Sequence, residues 1–148
     1  WLDGIYNFDI DLCASQENAK CKLHFNKEYN SLAQDWAYCL LFNVGFCNPP
    51  YSNISPWIDK AIEEARNGFT TAMLIETPNG QSHYKEVFEH ATSITFINGR
   101  LAFYNPHLKK YVSGNTRGSC VVEFSKKYNS DPLHVKHVDR DELKRVYG

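Results

Sequence analysis

The sequence predicts an α/β fold in which a mostly parallel sheet carries helices on both faces, within one compact domain. Three features predict it. Leu40 to Cys47 and Thr70 to Ile75 are nearly continuous apolar runs, typical of strands covered on both faces. Residues 54–65 between them repeat apolar side chains at helical spacing. A strand, a helix and a strand joined by short connections form the crossover unit of a parallel sheet.

Before the crossover unit the pattern is weaker. Tyr6 to Leu12 alternates and then becomes apolar around two acids, which predicts a buried strand that runs into a loop at Cys13. Leu32 to Tyr38 predicts a brief helical turn.

The helix of the crossover unit is the most sharply predicted element. Ser55 suits its N-cap, Pro56 its first turn and Gly68 its end. The predicted polar face carries Asp59, Lys60, Glu63, Glu64 and Arg66, opposite Ile54, Trp57, Ile58, Ala61, Ile62 and Ala65.

The second half predicts one more helix and further strands. The helix covers Gln81 to Ala91, with Tyr84, Val87, Phe88 and Ala91 on one face. The strands are Ser93 to Ile97, Leu101 to Tyr104 and Ser119 to Phe124. Residues 105–118 form a long polar loop, and long loops in compact domains are often functional. Residues 125–148 form a charged extension with a short helix from Asp139 to Tyr147.

The composition bounds the function. With 148 residues and a net charge of -1, the chain is long enough for one core but has no global field that attracts a polyanion, so nucleic-acid binding needs a local basic patch. Five cysteines without a Cys-x-x-Cys pair favour reduced thiols over disulfides or a zinc site, and we expect no metal.

We also expect no membrane partner and a cytoplasmic location, because no apolar run approaches membrane-spanning length. The chain begins at Trp1 and its one methionine is Met73, so we expect residues 1–148 to be one domain that is incomplete at its N-terminus.

The tetrapeptide Asn48-Pro49-Pro50-Tyr51 carries the most chemistry. It follows the predicted central strand, and ligands of open α/β sheets bind at the carboxyl ends of strands. A plain Pro-Pro turn between strand and helix is the structural alternative. The chemical interpretation is a site that grips a flat, amino-substituted group through an amide oxygen, a fixed backbone carbonyl and an aromatic face.

Such a site can turn a weak amine into a nucleophile. If the Asn48 side-chain oxygen and the Pro49 carbonyl each accept one amino hydrogen, the nitrogen becomes more tetrahedral and its lone pair leaves the ring plane. Both hydrogen bonds strengthen as the nitrogen becomes cationic in the transition state. Pro50 fixes the direction of the Pro49 carbonyl, and Tyr51 can stack on the ring. We therefore predict that the four residues are catalytic in methyl transfer to an amino nitrogen.

Four segments together carry a family resemblance: Phe8-Asp9-Ile10-Asp11-Leu12-Cys13-Ala14-Ser15, Asn18-Ala19-Lys20, Asn48-Pro49-Pro50-Tyr51-Ser52 followed by Trp57, and Phe96-Ile97-Asn98-Gly99-Arg100-Leu101-Ala102-Phe103. They resemble the phage-type Dam family of DNA adenine methyltransferases. The resemblance implies a Rossmann-like class I fold and methyl transfer from S-adenosylmethionine to the six-amino group of a flipped adenine in double-stranded DNA. It also implies a phage-infected or lysogenic bacterial host and a link to restriction-modification.

The resemblance implies a donor site after the first strand, at Asp11, Cys13, Ala14 and Ser15, and Asp35 is a candidate contact to the donor's adenine. The structural alternatives are a turn residue for Asp11 and a solvated helix acid for Asp35.

Four cations bracket the long loop and are candidate DNA contacts, with aromatic side chains between them. They are Arg100, Lys109, Lys110 and Arg117, interleaved with Tyr104, His107 and Tyr111. Basic and aromatic residues on one loop suit contact with a nucleic-acid backbone and base stacking. The alternative is a charged surface loop without a partner.

Two other functions stay open. The same amino-methylation could act on RNA or on a protein glutamine. A non-catalytic nucleic-acid-binding relic of the fold is the second alternative, and the absence of a Gly-x-Gly loop favours it.

Overall fold

The computed structural model describes residues 1–37, 43–105, 108–112, 116–128 and 131–147. Its helices are α1 (Leu2–Tyr6), α2 (Ser55–Arg66), α3 (Tyr84–His90) and α4 (Arg140–Tyr147). Its strands are β1 (Ile10–Asp11), β2 (Leu23–His24), β3 (Val44–Cys47), β4 (Thr70–Glu76), β5 (Ser93–Asn98), β6 (Phe103–Asn105), β7 (Lys110–Val112), β8 (Ser119–Phe124) and β9 (His134–Asp139).

Seven strands of the described residues form one sheet in the order β2-β1-β3-β4-β8-β5-β9, and β6 and β7 form a separate hairpin. Neighbours from β2 to β4 are parallel, as are β5 and β9. Strand β8 lies antiparallel between β4 and β5. The predicted α/β fold with a mostly parallel sheet is confirmed, and its antiparallel strand makes the sheet mixed.

Both faces of the sheet are covered, as the apolar runs of the predicted strands indicated. Along β4, Met73 and Ile75 belong to the core under α2 and α3, whereas Ala72 and Leu74 belong to a second core covered by residues of α1. This alternation follows from the two-residue period of a strand. Asn48 comes two residues after Phe46 and so continues the face of the sheet on which Phe46 lies, in the second core.

Glycine at position 45 lets β3 pack closely on its neighbours. A Cβ there would lie 2.8 Å from Leu12 Cδ1 and 2.9 Å from Phe69 Cζ. A larger side chain would push on Leu12, at the start of the loop that follows β1.

Several element boundaries differ from the sequence prediction. The predicted strand from Tyr6 is only two residues long, because Tyr6 ends α1 and Asn7 turns the chain with φ 51°. The predicted turn near Leu32 is a short 3-10 helix, Ser31–Ala33. The central strand begins at Val44, and residues 38 and 40–42 of these two predictions lie outside the described residues.

The predicted N-cap Ser55 is wrong. The cap is Ile54, which makes no side-chain cap bond, because the 3-10 turn Tyr51–Asn53 leads directly into α2 and Ser55 is already helical. Pro56 lies in the first turn, as predicted, and Gly68 follows the helix with φ 94°.

The predicted buried position of Phe88 is also wrong. Helix α3 begins three residues later than predicted, at Tyr84, and buries Tyr84 and Val87. Phe88 is 47% exposed and lies beside the Tyr84 ring, with the centroids 6.2 Å apart.

Glu64 was predicted on the solvent-facing side of α2, but it is only 1% exposed. Its Oε1 lies 2.5 Å from Lys60 Nζ, and its Oε2 accepts the Ala37 N–H at 3.1 Å. The carboxylate thus fixes the segment before residue 38 to α2.

The charged C-terminal segment adds a strand that the sequence did not predict. Strand β9 pairs with β5 at the sheet edge, and four of its six residues are exposed. The sequence did not predict β9 because its composition is polar, unlike the apolar runs of the buried strands. Within the long loop, β7 pairs with β6. The predicted final helix from Asp139 to Tyr147 is present as α4, which begins one residue later at Arg140. In the described ranges, none of the helices has the length and apolar character needed to cross a bilayer.

Candidate active site

The tetrapeptide Asn48 to Tyr51 lies directly at the carboxyl end of β3, as predicted. Pro49 is buried, and Pro50 is extended with φ -64° and ψ 120°. The Pro50 carbonyl accepts the Asn53 N–H at 3.2 Å. Among the described residues, no N–H donates to the Pro49 carbonyl, so a guest can use this acceptor.

Tyr51 and Asn48 contact each other. The Tyr51 hydroxyl lies 3.4 Å from Asn48 Oδ1 and donates to it. Burial raises the pKa of Tyr51 to about 12, with smaller contributions from Glu76 and Cys120. The phenol therefore stays protonated at neutral pH and remains a donor to the amide oxygen.

An aromatic slot opens beside this pair. It is a cavity of about 300 Å³ lined by Asn48, Pro49, Tyr51 and Phe103. Phe103 comes from β6 and packs on the second core. No role of Phe103 was predicted from the sequence, although this residue ends the Gly-Arg-Leu-Ala-Phe segment that carried part of the resemblance.

A junction cavity of about 130 Å³ continues from the slot toward β1. It shares Asn48 and Phe103 with the slot and adds Asp11 and Cys13. Lys20 also lines it, so charges of both signs meet there.

Asp11 organises the loop after β1. Its Oδ1 accepts the Cys13 N–H at 3.2 Å, and its Oδ2 accepts the Lys20 N–H at 2.9 Å. Burial raises the pKa of Asp11, and the two backbone hydrogen bonds oppose that rise. Asn18 Oδ1 accepts the Ser15 N–H at 2.7 Å and braces the same loop. Asp11 thus acts as a turn residue while it also faces the junction cavity.

A larger loop cavity of about 440 Å³ also borders this loop. Its lining residues include the candidate donor contacts Cys13, Ala14 and Ser15, together with Pro50 and Trp57. The remaining lining residues are Leu12, Phe25, Asn26, Lys27, Asn30 and Ser31. The tetrapeptide therefore separates two chambers, with Pro50 in the loop cavity and Tyr51 in the slot.

Asp35 does not join this arrangement. It is exposed, and its Oδ1 accepts the Ala37 N–H at 3.0 Å in a local turn. The loop cavity is lined instead by the preceding residues Asn30 and Ser31.

All four candidate DNA-contacting cations are exposed. Lys109 and Lys110 are exposed on the β6–β7 hairpin, and Arg100 is exposed just before it. Arg117 lies beside Tyr51 in a separate polar cavity and pairs with Glu76 at 2.6 Å. His107 lies outside the described residues.

The whole described chain is similar to one known protein family. The family model for DNA N-6-adenine-methyltransferase (Dam) matches residues 1–147. The chain belongs to this family. The resemblance that the sequence motifs predicted is thereby confirmed, and the sheet described above is the class I methyltransferase arrangement of a Dam-family chain.

Two phage proteins are among its relatives. The DNA N-6-adenine-methyltransferase of Escherichia phage T1 is 30% identical over 137 residues, which cover 82% of this chain and 56% of that protein. That of Haemophilus phage HP1 is 30% identical over 141 residues, which cover 93% of this chain and 78% of that protein. The chain thus spans about half of the first relative and most of the second.

Proposed function

We propose that this chain transfers a methyl group from S-adenosylmethionine to the six-amino group of adenine in double-stranded DNA. One observation carries the proposal: the junction cavity shares Cys13 with the loop cavity and Asn48 with the aromatic slot. A donor bound on one side and an amine bound on the other can meet at Asn48.

The loop cavity suits the donor. Its volume of about 440 Å³ lies within the range of about 300–1,000 Å³ that is usual for ligand pockets. Cys13, Ala14 and Ser15 would hold the donor, and Asp11 would face its cationic end through the junction cavity. When bound, S-adenosylmethionine supplies a methyl group on a sulfonium. Transfer of this methyl group needs no strong general base.

The aromatic slot suits a flat base. Tyr51 and Phe103 give it two aromatic walls, and base stacking on an aromatic side chain is worth about 1–3 kcal/mol per base. Asn48 Oδ1 and the Pro49 carbonyl would each accept one amino hydrogen, with the Tyr51 hydroxyl orienting the amide. Held in this way, the amino nitrogen would bond to the methyl carbon of the bound donor, whose C–S bond breaks so that S-adenosylhomocysteine leaves as a neutral thioether, and the methylated nitrogen would lose one proton to water.

These two walls favour adenine over a glutamine side chain, which has no ring to stack. The junction cavity, which borders the loop cavity at Cys13 and the aromatic slot at Asn48, favours an enzyme over a binding relic. The exposed cations Arg100, Lys109 and Lys110 would contact phosphates, and Arg117 would do so beside Tyr51. The phage origin of the two relatives supports action in the cytoplasm of an infected or lysogenic bacterium.

Labelled methyl incorporation into DNA, RNA and protein substrates, measured side by side, tests the proposal. We expect label in double-stranded DNA. Label in RNA or in protein glutamine alone would overturn the choice of substrate. A Phe103→Ala variant should lose methylation of DNA while its affinity for S-adenosylhomocysteine changes far less, since Phe103 lines the aromatic slot and the junction cavity but not the loop cavity.

A further inference from the structure

Ser31 is a buried residue in the wall of the loop cavity, with a hydroxyl that takes no part in the arrangement described above. It is only 5% exposed and lines that cavity. Its Oγ has no hydrogen-bond partner among the described residues. Buried polar groups are paired in the great majority of cases, so an orphaned one calls for a ligand or a water.

The backbone around Ser31 is held firmly. The Ser31 carbonyl accepts the Trp36 indole N–H at 2.9 Å and the Gln34 N–H at 3.1 Å. Trp36 is buried against Phe69 and lies under Lys60, whose Nζ is 5.9 Å from a Trp36 ring centroid. The buried Glu64 carboxylate binds Lys60 and the Ala37 N–H, so the wall that carries Ser31 is anchored to α2.

The surroundings of Ser31 select one part of the donor. Phe25, Pro50 and Trp57 give the cavity flat or apolar walls, and Lys27 is the one charged side chain among its lining residues. A purine ring suits such walls, whereas the amino acid end of S-adenosylmethionine carries two charges and suits the junction cavity with Asp11 and Lys20.

We propose that the Ser31 hydroxyl hydrogen-bonds the purine ring of the methyl donor. This inference rests on the proposed function, because it takes S-adenosylmethionine as the occupant of the loop cavity. A serine hydroxyl both donates and accepts, and a turn about its Cα–Cβ bond moves Oγ between staggered positions. A ring nitrogen or the six-amino group can therefore serve as its partner.

Calorimetry with S-adenosylhomocysteine tests the contact without relying on activity. Ser31→Ala should weaken its binding by about three- to tenfold, the loss expected for one neutral hydrogen bond. Thr71→Val is a matched control, because Thr71 is fully buried in β4 with an Oγ1 that also has no partner among the described residues, and it lines none of the cavities above. This control should leave the affinity unchanged.

Analogues of S-adenosylhomocysteine that lack N1, N3, N7 or the six-amino group identify the partner atom. One of these four analogues should bind the wild type and Ser31→Ala equally, because it lacks the atom that the Ser31 hydroxyl contacts. Equal affinity of the two proteins for S-adenosylhomocysteine itself would overturn the inference, as would a full Ser31→Ala effect with every analogue. If the wild type methylates DNA and Ser31→Ala binds S-adenosylhomocysteine as tightly as the wild type, the proposed function stands and only the Ser31 contact is rejected. If the wild type does not bind S-adenosylhomocysteine, both the proposed function and the Ser31 contact are rejected.

Discussion

The Tyr51 hydroxyl donates to Asn48 Oδ1 across 3.4 Å, so the aromatic wall of the slot and its amide acceptor are coupled. The hydroxyl uses one lone pair of Oδ1 and leaves the other for an amino hydrogen. The proposed function therefore gives Tyr51 two separable roles, stacking through its ring and orienting Asn48 through its hydroxyl.

Substitutions at Tyr51 separate these roles. Tyr51→Phe keeps the ring and should lower the single-turnover rate of DNA methylation by less than about tenfold, the value of one hydrogen bond. Tyr51→Trp also keeps an aromatic face. Tyr51→Ala loses the stack as well and should lower the rate by about 100-fold. Equal losses in the three variants would reject stacking as the role of Tyr51.

The crossover unit could be predicted because its pattern is local. Residues 54–65 alternate apolar and polar side chains at helical spacing, and two apolar runs flank them, so α2, β4 and the end of β3 follow from short-range sequence. The motif at positions 48–51 then predicted the centre of the candidate site. The place of Asn48 at the carboxyl end of β3 is confirmed.

What the sequence did not predict depends on contacts between distant segments. Glu64 has the spacing of a solvent-facing acid, and only its partners Lys60 and Ala37 make it a buried one. Strand β9 has an exposed, polar composition and becomes a strand by pairing with β5. Phe103 and Ser31 line cavities that they share with residues distant in sequence, Tyr51 for Phe103 and Trp57 for Ser31.

Asp11 should control donor binding through the loop after β1. In Asp11→Asn, one carboxylate oxygen becomes an NH2 group that faces a backbone N–H of Cys13 or Lys20, so one of two hydrogen bonds is lost. We expect the affinity for S-adenosylhomocysteine to fall by about tenfold in calorimetry.

Asp9→Asn is the control for this loop. Asp9 Oδ2 accepts the N–H groups of Asn43 and Val44. Asp9 precedes β1, whereas the loop follows β1. Donor affinity should change little in this variant. Unchanged affinity in Asp11→Asn would show that the carboxylate does not hold the donor loop.

Glu64 should matter for stability far more than its neighbour on the same helix. Glu64→Ala leaves Lys60, whose side chain is only 14% exposed, without its buried partner. We expect the free energy of unfolding to fall by about 3 kcal/mol, the lower end of the range for breaking a buried ion pair. Urea denaturation measures this loss.

Glu63→Ala is the matched comparison. The Glu63 carboxylate lies 3.4 Å from the same Lys60 Nζ but is 64% exposed. Its removal should cost less than about 0.5 kcal/mol. Similar costs for the two variants would contradict the buried role of Glu64.

Asp139 should make the start of α4 sensitive to acid. Its Oδ1 accepts the Glu142 N–H at 3.1 Å and the Asp141 N–H at 2.8 Å, and these bonds lower the pKa of Asp139. A carboxyl whose folded pKa is lowered stabilises the fold above its unfolded pKa of about 3.9, and this contribution is lost as the pH falls through the folded pKa.

Hydrogen exchange of the α4 amides across this acid range measures the effect. Protection should fall as Asp139 is protonated. Asp139→Asn keeps a capping oxygen that does not titrate, so its protection should not show this acid step. An identical pH profile in the wild type and in Asp139→Asn would contradict the assignment.

The decisive experiment identifies the methylated nucleoside in DNA treated with wild-type protein and with Asn48→Ala. We expect N6-methyldeoxyadenosine with the wild type, and none with Asn48→Ala although that variant still binds S-adenosylhomocysteine within a few fold. Methylation that survives in a folded Asn48→Ala protein, or a methyl group at any other atom of the DNA, would contradict the proposed function.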